Sequence, residues 1–200
     1  MKDYTEIVCI LDRSGSMRNV INDAIGGFNQ FLADQKSVPG DAVMTIVYFD
    51  DRYDLVVARQ DIQQVEPIDI STYSPRGMTA LYDALGRTIN KVGFKLAALP
   101  ESERPSRVII ATLTDGEENA SKDYTEQRLR EMIDHQSEVY SWEFVFLASD
   151  LGAIREAVAL GINPNNMMSF EQTGDGYSDA YCSLSASIKS FRLGGDSSFK

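Results

Sequence analysis

Basic residues, cysteine and imidazole are all scarce in this chain, and each scarcity removes a class of function. Nineteen Lys and Arg stand against thirty Asp and Glu in 200 residues, a formal net charge of −11. A field of that sign repels phosphate backbones and anionic lipid, and no local basic patch offsets it, so neither nucleic acid nor a membrane surface is expected as a partner. The one histidine, His135, lies far along the chain from every hydroxyl of interest and reads as a surface or helix-terminal residue rather than a base. Of the two cysteines, Cys9 sits in an apolar run and Cys182 on the apolar side of a late helical pattern. They read as two reduced core thiols rather than a bridge. No apolar run approaches the roughly 20 residues of a membrane-spanning helix. The opening Met1-Lys2-Asp3-Tyr4-Thr5-Glu6 lacks the pattern of a secretory signal, so a cytoplasmic address is expected, and it leaves the acceptor-like Asn119-Ala120-Ser121 idle. Also missing are a G-x-G-x-x-G or P-loop after any strand and a Gly-x-Ser-x-Gly elbow, which counts against nucleotide binding and against a serine hydrolase.

What is present is a globular composition, 43% hydrophobic and 24% charged, at a length that suits one core. Short β-rich runs alternate with longer helical patterns. Residues 7–11 read as a strand buried on both faces, followed by Val20, Ile21, Ile25, Phe28, Phe31 and Leu32 at helical spacing. Residues 43–49 and 53–58 read as two strands joined so tightly that they form an antiparallel hairpin at a sheet edge. A polar stretch over 59–78 follows, long enough to be functional unless it hides a short element. Then come a helix marked by Leu81, Leu85, Ile89, Val92 and Leu96, a buried strand over 107–114, a helix around Leu129, Met132 and Ile133, and a strand over 142–148. A short helix (Ile154, Ala157, Val158), a weak strand over 167–170 and a final helix (Tyr177, Tyr181, Leu184, Ile188, Phe191) complete the series. The expectation is an α/β fold: a doubly wound, mostly parallel six-stranded sheet with one antiparallel edge strand and helices on both faces. Residues 1–193 form the single domain and 194–200 a flexible tail.

In such sheets ligands bind outside the carboxyl ends of the strands, where the strand order reverses. Directly after the first strand stands Asp12-Arg13-Ser14-Gly15-Ser16, and directly after the 107–114 strand stands Asp115-Gly116-Glu117-Glu118-Asn119. The long polar stretch ends in Arg76-Gly77-Met78-Thr79. Asp12, Ser14, Ser16, Thr79 and Asp115 are oxygen donors with no imidazole or thiolate among them, a set suited to a hard cation such as magnesium. Only two are charged, so an ion there keeps an exchangeable position and can take a carboxylate from outside. Singly, Asp12, Ser14 and Thr79 could instead cap helices.

At these residues the chain resembles the von Willebrand factor type A domain with its metal-ion-dependent adhesion site, as a stand-alone bacterial or phage-type member. Asp-x-Ser-x-Ser after strand one, Gly-x-Thr at residues 77–79 and Thr-Asp-Gly at 114–116 carry the resemblance. It implies a Rossmann-like fold and Mg2+, with Mn2+ or Ca2+ as substitutes, held by Asp12, Ser14, Ser16, Thr79 and Asp115. It further implies a partner protein whose Glu or Asp completes the metal shell. Some relatives carry a hydrophobic switch at the last helix, with Leu184, Ile188 and Phe191 as counterparts here. Others work beside cytoplasmic ATPases or stress-response systems.

The expected function is therefore a non-enzymatic, metal-dependent protein-binding adaptor. The alternative is a magnesium-dependent phosphohydrolase with Asp12 at the metal site, since aspartyl-phosphate enzymes place their nucleophile after strand one of such sheets. Ser14, where an acid is wanted, and the lack of a nearby lysine count against it. Around the site, Glu117 and Glu118 read as solvated, and Asp50, Asp51 and Asp54 as an ordinary turn. Asp83 is a candidate for orienting the cluster from behind, and Tyr73, Ser74, Pro75 and Arg76 are either a partner-contact rim or a plain polar loop.

Overall fold

The computed structural model describes residues 2–199. Six strands, β1 (Lys2–Asp12), β2 (Asp41–Phe49), β3 (Tyr53–Asp61), β4 (Pro105–Thr114), β5 (Glu143–Ala148) and β6 (Met167–Ser169), form one sheet in the order β3-β2-β1-β4-β5-β6. All neighbours pair in parallel except β2 and β3, the hairpin expected at the edge. Among the described residues no helix is long and apolar enough to cross a membrane.

The central strands are buried on both faces, so their side chains divide by parity between two cores. Ile7, Cys9 and Leu11 of β1 face one core with α1 (Ile21–Ser37) and α5 (Gly174–Arg192). Val8 and Ile10 face the other, with α2 (Leu81–Ala97), α3 (Glu126–Tyr140) and α4 (Leu151–Ala159). The chain leaves β1 toward β2 on one side and returns to β4 on the other. That reversal opens the crevice at the carboxyl ends of β1 and β4.

The polar stretch is not a free loop. Four of its residues, Ile62, Val65, Ile68 and Tyr73, are buried in the α1/α5 core, the first of them in a single 3-10 turn over Ile62–Gln64. Asn29 of α1 clamps Ile68 from both sides, accepting from its N–H at 2.9 Å and donating to its carbonyl at 2.9 Å. Tyr73 is fully buried with its ring 4.8 Å from that of Tyr48, so it is a core residue and not part of a contact rim.

Two further expectations change. Both cysteines are free, but only Cys9 is a core thiol, its pKa pushed up to about 12 by burial. Cys182 is exposed, because α5 turns Tyr181, Leu184, Ser185 and Ile188 inward and leaves position 182 on the outer face. The end of the chain has no helix or strand, yet it is docked. Ser197 is buried and donates from Oγ to Glu143 at 2.9 Å, Ser187 donates to the Ser197 carbonyl, and the Phe199 N–H donates to Asn165 at 2.8 Å. Lys200, which completes the expected flexible tail, lies outside the described residues, as does Met1.

α1 and α5 meet where Gly27 lies against the buried ring of Tyr181, and a Cβ at position 27 would overlap that ring. Gly27→Ala is therefore expected to lower stability by about 1–3 kcal/mol, the usual cost of overpacking. Urea unfolding of the two proteins measures it, and a Gly27→Ala protein as stable as wild type would show that Tyr181 can move aside.

Candidate metal centre

Three loops meet over the crevice, and backbone hydrogen bonds join them before any side chain is considered. The first loop (12–16) is tied to the second (76–79) by two bonds side by side, Arg76 N–H to the Arg13 carbonyl at 2.8 Å and Gly15 N–H to the Gly77 carbonyl at 3.1 Å. Gly77 has φ +67°, the left-handed region, and faces the Asp51 side chain where a Cβ would collide. The third loop (115–119) grips the second through Asn119. Its Oδ1 accepts from the Thr79 N–H at 2.9 Å, and its own N–H donates to the Thr79 carbonyl at 3.0 Å.

Into this frame the five expected residues converge. Asp12 is fully buried. One of its oxygens accepts from the Ser14 N–H and the other from Thr114 Oγ1, each at 2.6 Å. Ser14 and Ser16 share a hydroxyl hydrogen bond of 2.9 Å, and Ser16 Oγ donates to Asp115 Oδ1 at 2.7 Å. Thr79 Oγ1 and Ser16 Oγ flank Gly116, lying 3.6 and 3.8 Å from where its Cβ would be. Ser14, Thr79 and Asp115 are buried and Ser16 is exposed, so the cluster opens to solvent on the Ser16 side. Helix capping does not account for the hydroxyls. The N-cap of α2 is Ala80 rather than Thr79, and Ser14 precedes a 3-10 turn without capping it through its side chain.

The electrostatics are those of two acids without a base. Burial, and then the nearby Asp115 carboxylate, raise the Asp12 pKa to about 7 against the hydrogen bonds it accepts. Burial likewise raises Asp115. The adjacent Arg13 does not relieve them: its guanidinium turns away to Asp50 at 2.7 Å and to Asp54. Arg76 joins the same pair of acids at 2.8 and 3.1 Å. Burial alone would raise the Asp50 carboxyl, but hydrogen bonds from Arg76, Arg13 and the Arg52 N–H overcome it and hold the group below the usual carboxylate range. The Asp50 turn is thus a buried ion-pair hub rather than an ordinary turn, and its carbonyl also accepts from the Ala80 N–H at 2.9 Å.

Several neighbours play roles the sequence did not announce. Glu118 is not simply solvated: it accepts from the N–H groups of Tyr82, Ala120 and Ser121 and from Ser121 Oγ, which fastens the third loop to the first turn of α2. Asp83 does not touch the cluster; it accepts from the N–H groups of Lys122, Asp123 and Tyr124. Tyr73 donates its hydroxyl hydrogen to the Asp12 carbonyl. Gln172, in the turn before α5, donates from Nε2 to Asp115 Oδ2 at 2.7 Å. His135 is exposed on α3 with its ring 5.6 Å from Tyr140, consistent with a surface role.

Because the folded chain keeps the Asp12 proton up to about pH 7 while the ordinary carboxyl releases it near 3.8, Asp12 favours the metal-free fold most below pH 3.8. That contribution fades as the pH rises through about 7. An asparagine there can donate to Thr114 Oγ1, whose own hydrogen can turn to the Gly116 carbonyl 3.1 Å away. With a chelator present, Asp12→Asn should exceed wild type in stability at pH 8 by on the order of 1–4 kcal/mol, and the gain should vanish at pH 4. Denaturant melts at the two pH values measure this, and a variant less stable than wild type at pH 8 would refute the assigned cost of the buried charge.

No family model and no curated protein matches the sequence. Solved structures match its shape. One is proximal thread matrix protein 1 from the mussel byssus, with a zinc-occupied MIDAS motif, at TM-score 0.66 and 17% identity over 93% of this chain and 46% of that one. A von Willebrand factor type A structure from Catenulispora acidiphila matches at 0.64 and 16%, over 94% and 43% of the two chains. The ArnB paralog VWA2 from Sulfolobus acidocaldarius matches at 0.58 and 18%, over 90% and 44%. This chain spans less than half the length of each. With the sheet order and the element series already described, these likenesses show that the chain has the von Willebrand factor type A fold.

Proposed function

We propose that this protein is a divalent-metal-dependent protein-binding module in which Asp12, Ser14, Ser16, Thr79 and Asp115 hold the ion and an acidic side chain of a partner completes its shell. The observation that carries the reading is the buried pair Asp12 and Asp115, without a basic partner among the described residues and surrounded by hydroxyls. Like charges buried together and left unpaired are costly, and a divalent cation is the ligand that removes the cost. The donor set fits such an ion by its chemistry, being hard oxygens with two charges. No imidazole or thiolate stands among the five, so the set does not favour softer ions.

When bound, the ion supplies an electrophilic position for an external carboxylate. The protein's own residues do the rest. Asp12 and Asp115 provide the charge, the serines and Thr79 provide neutral oxygens, and the four bonds between the loops fix their spacing. Magnesium is the proposed ion and a cytoplasmic complex, such as one with an ATPase or a stress-response system, the proposed setting. The zinc-occupied MIDAS motif of the mussel thread protein supports divalent binding in this fold without naming the ion used here.

The competing phosphohydrolase gains no specific support from the geometry. The two arginines near the mouth are spent on Asp50 and Asp54, where they cannot stabilise a transferring phosphoryl group.

Magnesium or manganese should raise the melting temperature of the wild-type protein, by about 2.7 kcal/mol of stability at a hundredfold excess over Kd. The shift should be absent in Asp12→Ala and Asp115→Ala. Any partner co-purifying with the wild type should be lost in Asp12→Ala and on chelation, and p-nitrophenyl phosphate should not be turned over. Turnover that disappears in Asp12→Asn would overturn the binding-module reading in favour of the hydrolase.

A further inference from the structure

The four carboxylate oxygens of Asp12 and Asp115 each receive a hydrogen bond, and three of the donors come from the first loop and the end of β4, namely the Ser14 N–H, Ser16 and Thr114. The fourth comes from elsewhere in the chain. Gln172 reaches Asp115 Oδ2 from the turn between β6 and α5, at 2.7 Å. A carboxylate oxygen at that distance requires the amide nitrogen, not the amide oxygen, to face it.

That turn is a fixed platform. The Phe170 N–H donates to the Ala148 carbonyl at 3.1 Å and its ring lies 4.9 Å from Tyr177. The Thr173 N–H donates to the Glu171 carbonyl at 2.8 Å, and Thr173 Oγ1 accepts from the Gly176 N–H at 3.1 Å. On this platform the Gln172 side chain is exposed, so it contributes no core packing, and its recorded hydrogen bond goes to Asp115. The amide nitrogen has no lone pair to offer a cation, so it braces the acid without filling a coordination position. A glutamate of the same reach would place a third negative charge against Asp115. Affinity for hard cations rises with the charge count of the donor set.

We infer that Gln172 is a positioning residue of the metal site: its amide holds the outer oxygen of Asp115 while keeping the acid count at two, so that cation binding is ordered yet loose enough to exchange. The inference rests on the metal-binding reading above and deepens it.

The test is a manganese titration of the full chain, followed by loss of the free-ion paramagnetic resonance signal, for wild type, Gln172→Ala, Gln172→Glu and Asp12→Ala. Gln172→Ala frees the Asp115 carboxylate to turn to solvent and should bind manganese about 3–10-fold more weakly. Gln172→Glu should bind it at least about tenfold more tightly, by the added charge. In the wild type, magnesium should also shift the side-chain amide resonances of Gln172 in a spectrum of glutamine-labelled protein, and Asp12→Ala should abolish that shift. A merely structural glutamine would weaken binding in both Gln172 variants or in neither, and either pattern, or a still amide resonance, overturns the inference. If the wild type itself binds no manganese, the metal-site reading fails first and this inference with it, whereas intact wild-type binding with indifferent Gln172 variants sinks the inference alone.

Discussion

Parallel pairing of β1 with β4 carries Asp12 and Asp115 to the same end of the sheet, and burial of both there creates an electrostatic demand that organises the surrounding loops. Neutral donors are drawn in: the Ser14 N–H and the Thr114 hydroxyl serve Asp12, and a serine and a glutamine serve Asp115. These bonds lower the cost of the charges without cancelling it, which is why both acids keep raised pKa values. A hydroxyl-rich mouth with surplus negative charge is the result.

Positive charge is available close by and is kept away from that mouth. Arg13 is the residue after Asp12, and its guanidinium is almost fully buried, yet it points into the β2–β3 turn and binds Asp50 and Asp54 together with Arg76. Its ring partner there is Tyr48, with the guanidinium carbon 5.7 Å from the ring centroid. Asp50 and Asp54 thus hold both guanidiniums at the turn, and Asp12 and Asp115 keep neutral donors only.

The fold was legible because it rests on periodicity and turn length. Apolar runs at 7–11 and 107–114 announced strands buried on both faces, and the short link after Phe49 announced the antiparallel edge. The five oxygen donors were legible too, since each stands directly beyond a strand or at a helix entrance. What could not be read was anything depending on where a side chain turns. Position 182 falls one residue from the inward face of α5, and residue patterns locate a helical face no more finely than that. Tyr73 stands in a polar stretch that packs against the distant α1 and is tied to it where Asn29 holds Ile68. Asp50 looks like any turn aspartate until Arg13 and Arg76 are seen to converge on it. Asn119 carries no signal of its grip on Thr79, because hydrogen bonds between distant loops leave no local pattern. Gln172 is hidden for the same reason.

The paired bonds between Arg13 and Arg76 and between Gly15 and Gly77 make a miniature ladder immediately upstream of Thr79. A ladder resets register: whatever path the chain takes between β3 and residue 76, the two rungs and the Asn119 grip return the threonine hydroxyl to the same spot. The intervening stretch is thereby relieved of placing Thr79, and its own hold on the cluster is of another kind, the Tyr73 hydroxyl propping the Asp12 carbonyl from the core side.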